Sequence, residues 1–507
     1  MTSRGTLQGE HGAATSRRST RHLLLAALPL VPPVPDSDDA APDPDPLSSP
    51  RAPTDEAAVV EASATPDTGP APLPPAASAL PPRRKPAALR VAGRIGRALR
   101  HRNYRLFFAG QGISVIGTWL TRFATSWMAY RLTGSALVLG LVAFFGQAPT
   151  SIIAPFAGVL VDRWDRHRTI VITQVAAMLQ SGALAFFALT HTMTVYHLIA
   201  LGAVQAVINA FDMPARQSFL GQMIDDRADL PNAIALNSSL VNSARLTGPV
   251  IAAVLVDLFG EGLCFAIDAA SYLAVIASLL MMRVARRPVL PRGDKKVGAE
   301  LIEGVRYVAS LPLVRAVLML LAVSSVLGGA YSALLPVVAT TTLHGGPHTL
   351  GVLMGAAGCG ALVGALYLAS RSSILGLTTV IQRCATGLGA GLLALELAHS
   401  VAVAVPLMFV IGMAMIVQLA ATNTLLQSIV DDKMLGRVIS LYAVAFFGGA
   451  PLGALIEGSL ASQIGAIHTF AIAGALCLAS GTTFAIKLPA LRAVSRPLYV
   501  RLGLLPE

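Results

Sequence analysis

Charged residues are scarce in this sequence. Only 13% of its 507 residues are Asp, Glu, Lys or Arg, whereas 54% are apolar, and the mean hydropathy is +0.65. An average soluble domain has about 25% charged residues, so this composition excludes an ordinary soluble protein. Aromatic residues make up only 6%. No basic stripe is interleaved with them, which argues against a nucleic-acid-binding face.

Cysteine is also rare, and the four residues of this type lie inside or at the edges of apolar runs: Cys264, Cys359, Cys384 and Cys477. No Cys-x-x-Cys pair and no histidine at ligand spacing accompanies them, so we interpret them as packing residues and expect neither a metal site nor a cofactor. A Gly-x-x-x-x-Gly-Lys-Ser/Thr phosphate loop is missing too. No nucleophile, base and orienting acid fall together. The sequence therefore predicts neither an ATPase nor any other enzyme, and an ion gradient becomes the expected energy source.

Long apolar runs dominate the chain from Tyr104 onward. Twelve of them are long enough to cross about 30 Å of hydrocarbon. Lipid offers no partner for backbone groups and the runs lack a period of two, so they are predicted to be helices rather than barrel strands. The predicted spans are approximately 106–130, 136–160, 169–190, 194–214, 233–258, 263–283, 314–338, 348–369, 375–396, 401–424, 437–461 and 466–487. The predicted fold class is an all-α membrane protein of twelve transmembrane helices.

Basic residues lie almost wholly in alternate loops. They precede the first span at Arg83, Arg84, Lys85, Arg97, Arg100 and Arg102, follow the second at Arg163, Arg166 and Arg168, and fill the middle of the chain. The loops between spans three and four and between spans seven and eight hold histidines but no Lys or Arg. The positive-inside rule then predicts a multi-pass protein of the cytoplasmic membrane with both termini in the cytoplasm.

The first 97 residues differ from the rest, being rich in Pro, Ala and Asp and nearly free of aromatics. We expect a disordered tail. Its apolar stretch from Leu23 to Val31 follows three arginines and mimics a signal peptide, but it is too short to span and lacks a convincing cleavage site. A dispensable tail is favoured over a targeting element, and an upstream extension of the gene model is a third reading.

The longest polar break in the membrane region runs from Ala285 to Pro312. Within it Leu301, Val305 and Val308 fall on one helical stripe, which predicts a short interfacial amphipathic helix. The break divides the spans six and six. We therefore expect a first six-helix bundle at 98–284, a cytoplasmic linker at 285–312, a second bundle at 313–488 and a cytoplasmic tail at 489–507.

The two halves repeat weakly. The stretch GVLVDR at 158–163 has a counterpart in GALYLA at 364–369, and Asp225-Asp226 finds Asp431-Asp432 at the same offset. Internal symmetry of this kind is typical of transporters built from two bundles. It predicts two pseudo-symmetric six-helix bundles with the substrate path between them and alternating access by rocking.

The motif GVLVDRWDRHR at 158–168, after the second span, resembles the signature loop of the major facilitator superfamily. It departs from that loop at Asp165, where many members carry glycine. The second-half copy has Leu368 in place of the acid, so that copy lacks the carboxylate that an ion pair between the halves would need. The resemblance covers residues of about 100–488 and implies the major facilitator fold.

By this resemblance the loop is a gate between the two halves. Gly158 would permit close approach of a helix from the other half, and Asp162 would pair with a cation, for which Arg216 and Arg437 are the candidates. Arg163, Arg166 and Arg168 complete the signature. The alternative reading is an ordinary positive-inside loop with a capping aspartate.

Three further stretches are similar to the branch of drug:H+ antiporters that includes the enterobactin exporter and macrolide efflux proteins, the transmembrane secretion effector type. They are RNYRLF at 102–107, DMPARQS at 212–218 and NSARLTGP at 242–249. The pair Gly248-Pro249 also resembles a motif of exporters. The resemblance implies efflux of a drug or siderophore driven by the proton gradient.

Several charged residues fall inside predicted spans, where each costs roughly 3 kcal/mol or more and is a functional candidate. Arg122, Arg245, Asp268 and Glu457 are our candidates for proton coupling. For Arg245 a structural ion pair is an equal alternative. Asp268 is either a site that titrates or a neutral hydrogen-bonding group. Glu457 is the best candidate in the second half.

Polar and aromatic side chains on the first, second and fourth spans are candidates to line the substrate cavity: Gln111, Trp119, Phe145, Gln205 and Asn209. Flat apolar rings suit lipophilic compounds. The alternative for each aromatic residue is a lipid or packing contact.

The leading hypothesis is a proton-coupled exporter of a drug-like compound or siderophore, a monomer whose partners are its small-molecule substrate, protons and the lipid bilayer. One alternative is a nutrient importer or facilitator on the same fold. Another is a membrane receptor or scaffold that has lost transport. Direction of transport in loaded vesicles separates the first two.

Overall fold

The computed structural model describes residues 96–284, 297–329, 331–371 and 373–501. Over these ranges the chain is almost entirely helical and contains no β-strand, which confirms the all-α prediction. The predicted N-terminal tail, with Leu23 to Val31, lies outside the described residues except for its last two positions.

The first half of the membrane region forms seven α-helices within the described residues. They are α1 (Arg102–Thr133), α2 (Ala136–Phe145), α3 (Ala148–Arg163), α4 (Arg166–Leu189), α5 (Val195–Leu220), α6 (Leu230–Phe259) and α7 (Glu261–Leu280). The second predicted span is thus divided into α2 and α3 at Gly146 and Gln147. Pro149 lies in the first turn of α3, where a missing N–H leaves no helical hydrogen bond unmade.

The second half follows with nine α-helices in its described part. They are α8 (Val297–Ser310), α9 (Pro312–Gly328), α10 (Tyr331–Val337), α11 (Pro347–Ala369), α12 (Leu377–Ala394), α13 (Val401–Ile429), α14 (Asp432–Ala443), α15 (Gly449–Ile464) and α16 (Ala466–Arg501). Single π-helical turns at Val338–Thr342 and Val444–Gly448 follow α10 and α14. Each lies close to a proline, which lacks a backbone donor. The last helix continues to Arg501, well into the predicted C-terminal tail.

Eleven helical segments of the described chain are long and apolar enough to cross a membrane. Helix α1 is long enough as well, but Gln111, Arg122 and Arg131 make it more polar than the others. Counting α1, the described residues contain all twelve predicted spans.

Within each half, helices approach closely through small residues. In the first half α7 packs against α1 and α4 around the buried rings of Phe123 and Phe265. In the second half α12 packs against α16, and a Cβ on Gly389 would lie 2.7 Å from the carbonyl oxygen of Gly474. Close approach of backbones through glycine is how membrane helices associate without a hydrophobic driving force.

The most extensive contacts between the two halves are made by two pairs of helices. Where α2 crosses α15, a Cβ on Gly140 would lie 2.5 Å from the carbonyl oxygen of Ala454. Where α6 crosses α11, a Cβ on Gly351 would overlap the side chain of Ala253. Both crossings lie in the parts of these helices remote from the signature loop, so the halves are closed together at that end.

The end that carries the signature loop is arranged differently. The hydroxyl of Ser151 on α3 still donates to the carbonyl oxygen of Phe447 at 2.8 Å. Two turns further along α3, no heavy atom of the described residues lies within 4 Å of a Cβ built on Gly158. The close approach predicted at Gly158 is therefore not made in this conformation.

Helix α8 is the predicted amphipathic helix of the linker. It packs against α14, where Val308 is buried and Arg437 contacts Gly304. Val305 of the predicted stripe is instead 52% exposed, and the side chain of Leu301 is not among those described. Glu303 of α8 also forms an ion pair with Arg437 of α14 at 2.6 Å.

Candidate functional site

Trp119 lies at the contact between α1 and α6. A Cβ on Gly248 would overlap the Cβ of Trp119, so only glycine at position 248 permits this approach. The guanidinium carbons of Arg122 and Arg245 lie 5.2 Å and 5.6 Å from the centroid of the Trp119 ring. Both distances are typical of cation–π interactions. Trp119, a cavity candidate, therefore forms one cluster with Arg122 and Arg245, which were candidates for proton coupling.

Arg122 faces the interior of the protein. It lies eleven residues from Gln111, about three turns along α1 and hence on the same side, and Gln111 is buried against Arg216. Ile113, nine residues from Arg122, lies on the opposite side of α1 and is exposed on the outer surface. The exposed side chain of Arg122 therefore lies on the inner face of α1, the face opposite to Ile113.

Arg245 contributes from α6, one turn before Gly248. Its Nε is buried and has no hydrogen-bond partner within the described part of the chain. The phenol of Tyr331 on α10 lies close enough for an electrostatic interaction, and the carbonyl oxygen of Arg245 packs against Gly358 of α11. The cluster thus lies where the first half meets the second.

Asp268 of α7 is 1% exposed and lies deep in the first half. Its Oδ2 accepts hydrogen bonds from Thr121 of α1 at 2.9 Å and from Ser181 of α4 at 2.7 Å. Its Oδ1 has no such partner among the described residues and points at Gly117, where a Cβ would lie 2.7 Å away. The carboxyl group is therefore positioned by three helices but only half satisfied.

Glu457 of α15 is 3% exposed, and neither of its carboxylate oxygens has a hydrogen-bond partner in the described chain. It lies within electrostatic range of Cys477 on α16, inside the second half. A buried charge without a partner is strongly disfavoured. Glu457 is therefore a buried acid without a polar partner among the described residues.

Arg216 lies in a buried polar network of the first half. It pairs with Asp212 of the same helix at 2.6 Å and donates to Gln111. Asp212 also accepts from Thr173 at 2.7 Å and from Gln174 at 2.8 Å. Arg216 and Asp212 stand at the i, i+4 spacing that favours such a pair. The predicted pairing of Arg216 with Asp162 stays a prediction, because the side chain of Asp162 lies outside the described ones.

The signature loop is described in part. The side chain of Asp162 is not among those described, while Arg163 and Arg166 each take part in an interaction. Asp165, the departure from the family pattern, accepts a hydrogen bond from the backbone N–H of Arg168 at 3.0 Å and caps α4. Aspartate is a strongly preferred N-cap, so this substitution has a structural reason.

Apart from Gln111, which contacts Arg216, the other cavity candidates form a second group, where α5 packs near the break between α2 and α3. Gln205 donates to Asn209 at 3.1 Å, and Gly202 abuts Gly146. Phe145, beside Gly146, is 38% exposed and makes an edge-to-face contact with Phe144. These contacts bring no member of the group to the ring of Trp119.

An ion cluster at the start of α1 was not predicted from the sequence. His101 lies 3.2 Å from Asp229 and 3.3 Å from Asp225, and Arg97 lies 3.1 Å from Asp229. Burial lowers the pKa of His101, but its hydrogen bonds to the two aspartates outweigh burial and raise the pKa above 6.5. These residues are far apart in sequence, so no local pattern signals the cluster.

Comparison with known proteins places these features in context. A sequence profile described as transmembrane secretion effector matches residues 97–498. The chain is 22% identical over 371 residues to the staphyloferrin A transporter of Staphylococcus aureus, a match that covers 73% of this chain and 92% of that protein. It is 24% identical over 396 residues to macrolide efflux protein A of Streptococcus pyogenes, covering 75% and 95%. It is 25% identical over 395 residues to the multidrug efflux pump Tap of Mycolicibacterium fortuitum, covering 76% and 93%.

Two solved structures share the fold. The POT family transporter PepTSo matches with a TM-score of 0.62 and 11% identity, covering 78% of this chain and 99% of that one. A bacterial homologue of the human lysosomal transporter Spinster, in an inward-facing conformation, matches with a TM-score of 0.56 and 14% identity, covering 80% and 99%. At these identities the likeness concerns the fold alone, and it confirms the predicted arrangement of two six-helix halves.

Proposed function

Because the chain belongs to the transmembrane secretion effector family of the major facilitator superfamily, we propose that it exports a small molecule across the cytoplasmic membrane in exchange for protons. Its relatives and fold neighbours are transporters, so the chain is a multi-pass membrane transporter and not an enzyme. Relatives named for macrolide efflux, multidrug efflux and staphyloferrin A transport support the predicted cargo, a drug-like compound or a siderophore.

Alternating access is supported by the contacts between the halves. The crossing of Gly140 with Gly458 closes one end, whereas Gly158 has open space at the other. With the basic loops and both termini in the cytoplasm, the open end faces the cytoplasm. Cargo would enter the cavity from this side, and rocking of the halves would then expose it outside.

The gate proposal concerns the cytoplasmic end. Asp162 and Arg216 both belong to the first half, so a latch that joins the halves requires a group from the second half, and Arg437 supplies one. In the present conformation Arg437 pairs with Glu303. Closing of the cytoplasmic end would bring a helix of the second half against Gly158 and allow Arg437 to exchange Glu303 for Asp162.

Two buried carboxyl groups, one in each half, carry the proposal of proton coupling. Asp268 has one oxygen without a hydrogen bond and Glu457 has two, counted over the described residues. An acid in such surroundings binds a proton readily, because burial without a partner penalises its charged form. A change of surroundings during rocking would release the proton. Arg122 and Arg245 remain candidates to influence this exchange through their charge.

The test uses the purified full-length protein in proteoliposomes that contain a pH-sensitive dye. Erythromycin, ethidium and citrate are presented in turn, and proton movement and accumulation of each probe are measured under an imposed pH gradient. We expect at least one probe to drive proton movement, and Asp268→Asn or Glu457→Gln to abolish the dependence of its transport on the gradient.

Asp257→Asn is the matched control, because Asp257 is an exposed acid near the end of α6 and its neutralisation should leave coupling unchanged. Transport that remains fully dependent on the gradient in both Asp268→Asn and Glu457→Gln would overturn the assignment of the proton sites. Accumulation of the probes toward the cytoplasmic side would instead support the importer alternative.

A further inference from the structure

We propose that Arg122, Arg245 and Trp119 form a binding site for an organic anion, the substrate class of the exporter. This inference rests on the proposed function and specifies its cargo. The site would take a small organic molecule with one or more carboxylate or similar oxyanion groups, bound by the two guanidinium groups inside the cavity.

The first argument is charge balance. The guanidinium groups of Arg122 and Arg245 share one indole ring and are near enough to repel each other. In the part of the chain that the structure describes, no Asp or Glu forms an ion pair with either of them. Each arginine within a membrane helix costs roughly 3 kcal/mol or more, so a pair of them without a protein counter-ion favours an anion from outside.

The second argument is hydrogen bonding. A guanidinium group has five N–H donors in a fixed plane and no acceptor. No protein acceptor bonds to either guanidinium group within the described chain, and even the buried Nε of Arg245 has no partner there. The side chain of Arg122 is exposed and that of Arg245 is partly exposed, so their outer N–H groups are open to a ligand. Carboxylate and phosphate groups match the fork of an arginine with two parallel bonds. An oxyanion would therefore satisfy donors that the protein leaves free.

The third argument is preorganisation. Trp119 is held by its close contact with Gly248, and in turn it positions both arginines through cation–π contacts worth about 0.5–2 kcal/mol each. Asp268 of α7 makes no ion pair with either arginine among the described residues, and its Oδ2 bonds instead to Thr121 and Ser181. The cavity thus keeps two positive charges in fixed positions without neutralising them.

The position of the cluster suits a transported ligand. Arg245 approaches Tyr331 and Gly358, which belong to the second half. An anion held there would be bound at the surface along which the halves move, where alternating access exposes it first to one side and then to the other.

The experiment measures equilibrium binding to the purified full-length protein in lipid nanodiscs, without a pH gradient. The probes are three molecules with the same ring system and similar size: 2-naphthoate as the anion, 2-naphthamide as the neutral compound and 2-naphthylmethylammonium as the cation. We expect binding of 2-naphthoate that inorganic sulfate displaces only weakly. Arg122→Gln and Arg245→Gln should each weaken it at least about tenfold, as expected for loss of a charged hydrogen bond.

Arg383→Gln is the control, since Arg383 lies on α12 of the second half and has no part in the cluster. It should leave 2-naphthoate binding within about twofold of the unchanged protein. Arg122→Lys and Arg245→Lys keep the charge without the planar fork and should recover part of the affinity. These lysine variants keep the test decisive even if a glutamine variant does not fold.

Equal affinity for 2-naphthoate and 2-naphthamide, or unchanged 2-naphthoate binding in both glutamine variants, would overturn the proposal while leaving exporter function intact. Displacement of 2-naphthoate by sulfate at equal concentration would also overturn it, in favour of an inorganic anion site. Conversely, arginine-dependent binding of 2-naphthoate without any proton-linked transport would support the site and contradict the proposed function.

Discussion

The backbones of Gly140 and Gly458 touch where α2 of the first half crosses α15 of the second. A Cβ on Gly458 would lie 2.8 Å from the Cα of Gly140 and 2.9 Å from the carbonyl oxygen of Ala136. There is no flexible side chain at this point that could move aside. The closed end of the transporter therefore depends on the absence of two side chains.

We predict that Gly458→Val opens this end. A larger residue in a closed packing site costs about 1–3 kcal/mol, and this cost falls only on the conformation in which the halves touch here. A Val138→Cys reporter on α2 should therefore react faster with an impermeant maleimide in the Gly458→Val background. Gly182→Val is the control, because a Cβ there meets nothing within 4 Å. Unchanged labelling in Gly458→Val would contradict the role given to the crossing.

Gly248→Ala should displace Trp119. The added Cβ would overlap the tryptophan side chain, so either the helices separate or the ring turns and loses its contacts with the arginines. We expect a lower melting temperature of the purified protein and weaker quenching of tryptophan fluorescence by 2-naphthoate. Gly387→Ala, on α12 with open space around it, serves as the comparison. A Gly248→Ala protein with normal melting and normal quenching would refute the contact.

Glu457 and Asp268 should respond in opposite ways to replacement by an apolar residue. Glu457 forms no hydrogen bond in the described chain, so Glu457→Met removes an unsatisfied buried group, which typically costs about 1–3 kcal/mol. Asp268→Leu instead leaves the hydroxyls of Thr121 and Ser181 without their acceptor. We expect thermal unfolding in detergent to occur at a higher temperature for Glu457→Met and at a lower one for Asp268→Leu. A loss of stability in both would show that Glu457 has a partner in solution.

Gly158→Leu tests the gate. Because Gly158 has open space in this conformation, a leucine there should leave the melting temperature nearly unchanged. It should nevertheless block closing of the cytoplasmic end and lower the transport rate several-fold, by the cost of overpacking. Melting and transport are measured on the same preparation, with Gly182→Leu as the control. Full transport by Gly158→Leu would exclude a close approach at this position.

The contribution of His101 to stability should depend on pH. The pKa of His101 is raised in the folded protein by Asp229 and Asp225, so the stabilising charge is fully present below about pH 6.5 and is lost as the pH rises through the folded-state pKa. We expect His101→Gln to lower the melting temperature more at pH 5.5 than at pH 8.5. The exposed His348 of α11 provides the control variant His348→Gln, and an equal effect of His101→Gln at both pH values would contradict the ion cluster.

The spans could be predicted from the sequence because a run of about 20 apolar residues has few alternatives in a membrane. Contacts between residues that are close in sequence could also be predicted. Asp212 stands four residues before Arg216, and Asp165 stands three residues before Arg168, the spacings of a helical ion pair and of an N-cap. Both contacts exist in the structure.

Contacts between distant residues could not be predicted in the same way. Trp119 and Arg122 belong to one helix, but their meeting with Arg245 depends on how α1 lies against α6. The cavity candidates Trp119 and Gln205 could not be told apart in the sequence. The structure separates them because α5, which carries Gln205, packs against the break between α2 and α3.

By itself the sequence determined the all-α membrane fold, the twelve spans and the division into halves, because each follows from the length, polarity and order of apolar runs. The tertiary structure alone decided which buried polar groups meet and which end is closed. In lipid, helices associate through small residues and polar contacts rather than through hydrophobicity, so hydropathy does not encode their crossings. The contact of Gly248 with Trp119 and the isolation of Glu457 are consequences of those crossings.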